Sequence, residues 1–277
     1  MNSSKDDWEL PVSEGELSRM TRELTEAHRE TLPVMAASAR DLTEELRDLP
    51  ADAPDMHQQQ RIHLARRRFL VGAGASAAAL ALAACGGNDK KSASGPSQSA
   101  SASKSAGAGG YTGDLKIVAL AAALENQAVG AYKAALAAAK AGKLGKVPPV
   151  VATFAQTAMS QHKDHADAWN GVLSSAGRPT ITGTPLSNHK DVTTALGKVK
   201  DVPALAKLAL QLEDQATQTY VFATYNVKSA GGINTAATIA PVEAMHAAIL
   251  HYLLGQYPVP DDFIGSDKAA STSLLTV

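Results

Sequence analysis

The sequence predicts an all-α protein whose main domain is a bundle of four long helices assembled from two hairpins. Three observations carry that expectation. Aromatic residues are only 4% of a chain that is 45% hydrophobic, and Ala and Gly are abundant, a balance that suits packed helices better than strands. Residues 112–277 hold four long Ala/Leu-rich segments separated by Gly and Pro breakers. The outer two links are short and the middle one is long, as in a bundle of two helix hairpins.

Each element has a stated start and stop. The first segment runs roughly over 113–141 and stops near Gly142. The second starts after Pro148-Pro149 and stops near Gly177. Residues 178–200 form the long crossover, broken by Pro179, Gly183 and Pro185, with one short helix near 190–199. The third segment starts on Asp201, a good N-cap followed by Pro203 in the first turn, and ends near Lys228. Gly231-Gly232 break the chain, and the fourth segment runs to Gly255. The domain is therefore 112–255, and the tail 256–277, with Pro258 and Pro260, is expected to be irregular.

The chain ahead of the domain has another character. Residues 1–85 carry a net −4 and residues 86–277 a net +3, and every arginine except Arg178 lies at or before residue 68. Residues 66–85 open on Arg66-Arg67-Arg68-Phe69-Leu70, continue as an Ala/Gly/Leu run and end Leu82-Ala83-Ala84-Cys85. A basic start, a short apolar core and small residues before a cleavage point make a secretory signal. The opening resembles a twin-arginine export signal, with Arg66 and Arg67 as the pair, and the ending resembles a bacterial lipobox. That resemblance implies lipidation at Cys85, attachment to the outer face of the cytoplasmic membrane, and a partner in the membrane itself. The apolar run at 69–84 is about 16 residues, short of the ~20 needed to span a bilayer. Residues 86–111 read as a flexible Ser/Ala/Gly tether. Residues 1–65 are a leader. Two short amphipathic helices are expected there, near 13–29 and 33–48, with Ser13 and Glu16 as a capping box, and Met56 is an alternative start.

Charge and cysteine count exclude several functions. A net charge of −1 argues against general nucleic-acid binding. A single cysteine excludes an internal disulfide framework and any multi-cysteine metal site.

The glutamates are the strongest functional signal. From residue 86 onward there are ten Asp but only three Glu: Glu125, Glu213 and Glu243. Their neighbours one turn away are almost all apolar, such as Ala121, Ala122, Ala128 and Val129 around Glu125, and none is Lys or Arg. His162 and His165, at i, i+3, sit among Ala158, Met159 and Ala166, and Glu243 pairs with His246 at the same spacing. These groups line apolar faces that turn toward the core. Burying unpaired carboxylates is costly, and a divalent cation shared with imidazoles answers that cost. Carboxylate and imidazole donors suit iron, manganese or zinc. An internal echo supports a two-fold design: Glu125-x-Gln127-Ala128-x-x-x-Tyr132 recurs as Glu213-x-Gln215-Ala216-x-x-x-Tyr220. The tyrosines suit hydrogen bonds to a carboxylate, electron relay or simple packing. His189 and His251 are read as hydrogen-bonded structural histidines.

With these residues in place, the stretch 113–255 resembles the ferritin-like superfamily, the di-iron carboxylate four-helix bundles that include ferritins and rubrerythrins. The resemblance implies that Glu125 and Glu213 are terminal carboxylates, that Glu243 bridges two metals, and that His165 and His246 each cap one. His162 departs from the pattern, standing where the family places a second bridging Glu. Three carboxylates leave one positive charge over when two divalent ions bind. One or two ions, iron favoured, are therefore expected, with oxygen or peroxide chemistry where the metal is redox-active. The contrasting reading is a non-enzymatic envelope scaffold with a degenerate site, its fifteen lysines after residue 86 offered to a cell-wall component. A homodimer is open.

Overall fold

In the computed structural model, residues 8–48, 110–259 and 264–277 are described. The export signal with Arg66 and Arg67, the lipidation candidate Cys85 and nearly all of the tether lie outside those residues. Among the described residues all regular structure is helical: α1 (Glu14–Asp48), α2 (Asp114–Lys140), α3 (Pro149–Ser175), α4 (His189–Lys198), α5 (Val202–Asn226) and α6 (Ala230–Leu253), with a 3-10 turn at Thr272–Leu274. No described helix is long and apolar enough to cross a membrane.

The local signals act where the sequence placed them. The Asp201 carboxylate accepts from the Ala204 amide at 2.7 Å and Pro203 sits in the first turn of α5. Gly142 and Gly177 follow the ends of α2 and α3 with φ of 68° and 66°, a backbone that glycine adopts without strain. α2 with α3, and α5 with α6, form the two hairpins. Two apolar clusters fill the two ends of the bundle. One joins the starts of α3 and α5 through Val150, Phe154, Val202 and Ala206, and takes Leu250 and Leu253 from the end of α6. The other joins the ends of α3 and α5 through Trp169, Leu173, Tyr220 and Ala223, with Val118 and Ile239 from the starts of α2 and α6. The starts of α3 and α5 thus share one end of the bundle, so these helices run parallel. The connection between them must climb the length of a 27-residue helix, about 40 Å. Asn126 and Asn170 pin that crossover by donating to the Ile181 carbonyl at 2.7 and 2.9 Å.

The N-terminal expectation needs correction. The two short helices expected near 13–29 and 33–48 are one helix, α1, which passes through Pro33. The proline is on the exposed face, while Leu17, Leu24, His28, Met35, Ser38 and Leu42 are buried on both sides of it. α1 packs along the seam between α3 and α6. That packing supplies what the missing proline N–H removes. Contact with α6 is at backbone distance: a Cβ on Gly231 would lie 2.2 Å from the Leu42 amide nitrogen and 2.6 Å from the Ser38 carbonyl oxygen. Glu45 near the end of α1 accepts from the Ala230 and Gly231 amides at 2.8 and 2.9 Å, satisfying free donors at the start of α6. On the opposite side of the bundle α2 and α5 stand apart and leave a groove. The tail returns along α5, where the Lys268 and Ala270 amides donate to Gln218 and Thr219.

Candidate metal centre

The polar layer lies midway along the bundle, between the two apolar ends. Glu125 comes from α2, His162 and His165 from α3, Glu213 from α5, and Glu243 and His246 from α6. All six are at most 3% exposed, as their apolar flanks predicted. Donor atoms converge in two groups, each within 4.8 Å: Glu125, His162, His165 and Glu243, and His162, Glu213, Glu243 and His246. His162 and Glu243 belong to both. Their places in the chain explain this, since both stand in the middle of the second helix of a hairpin. Pro241 is exposed on the outer side of α6 and does not interrupt the helix.

Charges pair across the layer. His162 Nδ1–H donates to Glu125 Oε2 at 2.7 Å, and Nε2 lies 3.2 Å from Glu213 Oε1. Burial opposes protonation of His162, yet Glu243, Glu213 and the bond to Glu125 outweigh it and hold its pKa well above the usual value. His165 is raised to about 9, burial being overcome by Glu125 and Glu243. His246 is raised by Glu213 and Glu243 against the same burial. Burial would raise Glu125, but His165 and His162 bring it down to about 2, and Glu213 is lowered by His162 and His246.

The tyrosines cross the two-fold design. Each hydroxyl donates to the glutamate of the other hairpin, Tyr132 to Glu213 and Tyr220 to Glu125. Trp169 Nε1–H in turn donates to the Tyr220 oxygen at 2.9 Å. Burial and the adjacent carboxylates push both phenols well above their usual pKa, so they remain donors.

Two further polar residues attend the layer. Gln161, next to His162 in the chain, is buried and accepts from His246 Nε2–H at 2.7 Å. That bond fixes the His246 tautomer and leaves Nδ1 facing Glu213 Oε2 and Glu243 Oε2, each at 3.3 Å. The second is His28 of α1, whose ring lies 5.2 Å from the His165 ring. Burial, then the charges of His165, His246 and His162, lower its pKa to about 4. Among the described residues, the other two histidines join neither group: His251 Nδ1 pairs with Gln256 at 2.6 Å, and His189 Nδ1 is buried without the hydrogen bond expected of it.

A model of the ferritin-like domain matches residues 113–256. The chain belongs to the ferritin-like family. No curated protein and no solved structure matched it.

The core of this ferritin-like domain fits a cation. Both ring nitrogens of His165 and Oε1 of Glu243 are buried without a hydrogen-bond partner. His165 Nδ1 nevertheless stands 2.8 Å from Glu243 Oε1 and 3.7 Å from Glu125 Oε1. Donor atoms sharing one ion at ~2.0–2.2 Å stand roughly 2.8–3.6 Å from each other. These separations are ones that co-ligands of a single ion would have, as well as those of an ion pair. The α2–α5 groove reaches Glu125, His162 and Glu213 and is otherwise lined mainly by Ala, Leu and Val, with no other Asp, Glu, Lys or Arg.

Proposed function

We propose that this ferritin-like protein binds one or two transition-metal ions, iron favoured over manganese or zinc, in the middle of the bundle. The observation that carries the reading is the pair of unpartnered atoms His165 Nδ1 and Glu243 Oε1, which stand together beside Glu125. The first ion belongs there. A second place, among Glu213, Glu243 and His246, is better satisfied internally, because His246 already holds Gln161. When bound, a redox metal supplies reactivity toward oxygen or peroxide. The chain's own residues hold the carboxylates in place through Tyr132 and Tyr220, fix His246 through Gln161, and give a small apolar reactant a path along the α2–α5 groove.

We further propose export by the twin-arginine route and anchoring through lipidated Cys85. The support is the Arg66-Arg67-Arg68-Phe69-Leu70 start and the Leu82-Ala83-Ala84-Cys85 end, in the right order and spacing. A passenger that folds and loads its metal before transport accords with a buried site.

A second reading has its own observation. His162 bonds to both Glu125 and Glu213, so a core without metal is partly self-compensated, as a scaffold with a degenerate site requires. Elemental analysis by plasma mass spectrometry separates the two. The full chain, purified without added metal or chelator, is expected to hold one to two iron or manganese atoms; Glu125→Ala is expected to lose the first and His246→Ala any second, each keeping its helical circular dichroism. Unchanged metal in both variants removes the site. A folded wild type empty even after metal add-back selects the scaffold.

A further inference from the structure

His28 lies outside the ferritin-like match, on a helix that the bundle core does not need for its four-helix pattern. It is 3% exposed, and neither of its ring nitrogens has a hydrogen-bond partner. Its Nε2 lies 3.4 Å from a carboxylate oxygen of Asp164, and its ring is tilted 53° to that of His165 at 5.2 Å. His165 turns Nδ1 to Glu243, while its Nε2 is also buried without a partner. His28 thus holds two orphan ring nitrogens on the α1–α3 seam, beside a His165 ring that carries another, where buried polar groups are ordinarily satisfied. Side-chain exposure falls along this line from 45% at Asp164 to 4% at His28 and 1% at His165. The groove on the other side of the bundle offers a hydrated dication no such series, because its charged residues are only those of the centre.

We propose that Asp164 and His28 form an entry path by which a divalent transition-metal ion passes between α1 and α3 to His165. The inference rests on the reading of the six buried residues as a metal centre. Asp164 meets the ion where it still keeps most of its water. His28 replaces water with an imidazole nitrogen, and His165 delivers the ion to Glu125 and Glu243. Exchange of one donor at a time spares the ion full dehydration in an apolar seam. α1 is then a working part of the domain, since it carries the middle donor.

Stopped-flow loading with cobalt(II) tests the path. The full chain, stripped with a chelator, is mixed with Co²⁺ alone. The visible cobalt band reports both the rate of loading and, by its final amplitude, the occupancy. Asp164→Asn and His28→Phe are each expected to load about tenfold more slowly and to reach the wild-type amplitude. Asp164 is half exposed, so its variant keeps the test decisive even where His28→Phe disturbs α1. Wild-type loading rates in Asp164→Asn overturn the path and leave the centre standing. A wild-type chain that develops no cobalt band overturns the centre, and the path with it.

Discussion

His162 points Nδ1 at Glu125 and Nε2 at Glu213, so it stands between the two halves of the centre. Charge then limits the number of ions. One divalent ion with a protonated His162 balances Glu125, Glu213 and Glu243. Two divalent ions leave one positive charge over unless His162 gives up both ring protons, a hydroxide binds with them, or a fourth carboxylate is supplied. His162→Glu is therefore expected to raise the metal content after reconstitution with ferrous ion from about one to about two per chain. Elemental analysis with circular dichroism as the folding control measures it, and a variant that stays at one would show that geometry and not charge sets the limit. The six residues were legible because Glu is so scarce in the domain and sits where no Lys or Arg lies one turn away. The tyrosine echo was legible too, but not its crossing, because the sequence repeat lies within each helix while the bond runs between hairpins. Gln161 was not legible as a partner of His246. Consecutive helical residues point about 100° apart, so it faces α6 while His162 faces the carboxylates.

α1 shows what patterning reveals when it is followed through a proline. Its buried positions Leu17, Thr21, Leu24, His28, Met35, Ser38 and Leu42, with the partly buried Leu32 between His28 and Met35, keep a spacing of three and four residues over the whole helix. That is the period of one continuous apolar stripe, and His28 lies on it. Pro33 divides the stretch by eye into two segments, yet packing on α3 and α6 holds the helix through it. Three of the four bundle helices, by contrast, were legible almost to the residue because Gly142, Gly177 and Asp201 punctuate them; the fourth starts at Ala230, so Gly231-Gly232, expected to break the chain, lie inside it, where their lack of a side chain admits α1. The closest contact in the element is at Gly231. Gly231→Ala is expected to force α1 off α6 by displacing backbone, lowering stability by about 2 kcal/mol and the melting temperature by roughly 4–8 °C. Hydrogen exchange of α1 amides should accelerate in the same variant. Gly130 is the control: it lies inside α2 with open space around it, so Gly130→Ala is expected to stabilise by about 0.5–1 kcal/mol. Equal effects from the two substitutions would contradict the backbone contact.

At the scale of the molecule, the buried charge layer ties stability to pH, and does so in opposite directions with and without metal. The folded pKa of His165 is about 9 against an ordinary 6.5, so its contribution is complete below about 6.5 and is lost as pH rises through 9. Glu125 is held near 2 against an ordinary 4.5, so its contribution is complete above 4.5 and is lost as pH falls through 2. His162 and His246 act in the sense of His165, and Glu213 in the sense of Glu125. Chelator-treated protein is therefore expected to melt highest between about pH 4.5 and 6.5 and to lose stability steadily from there to pH 9. A bound cation replaces the protons on His165 and His246, so its stabilisation must grow over the same range in which the proton-held layer weakens. Melting curves of chelated and metal-loaded protein at pH 5, 6, 7 and 8 are expected to diverge as pH rises. If the chelated protein is equally stable at pH 6 and pH 9, the imidazoles are not paired with the carboxylates in the folded core. If the two sets of curves coincide at pH 8, the layer is held by its own hydrogen bonds, and the bundle is a scaffold.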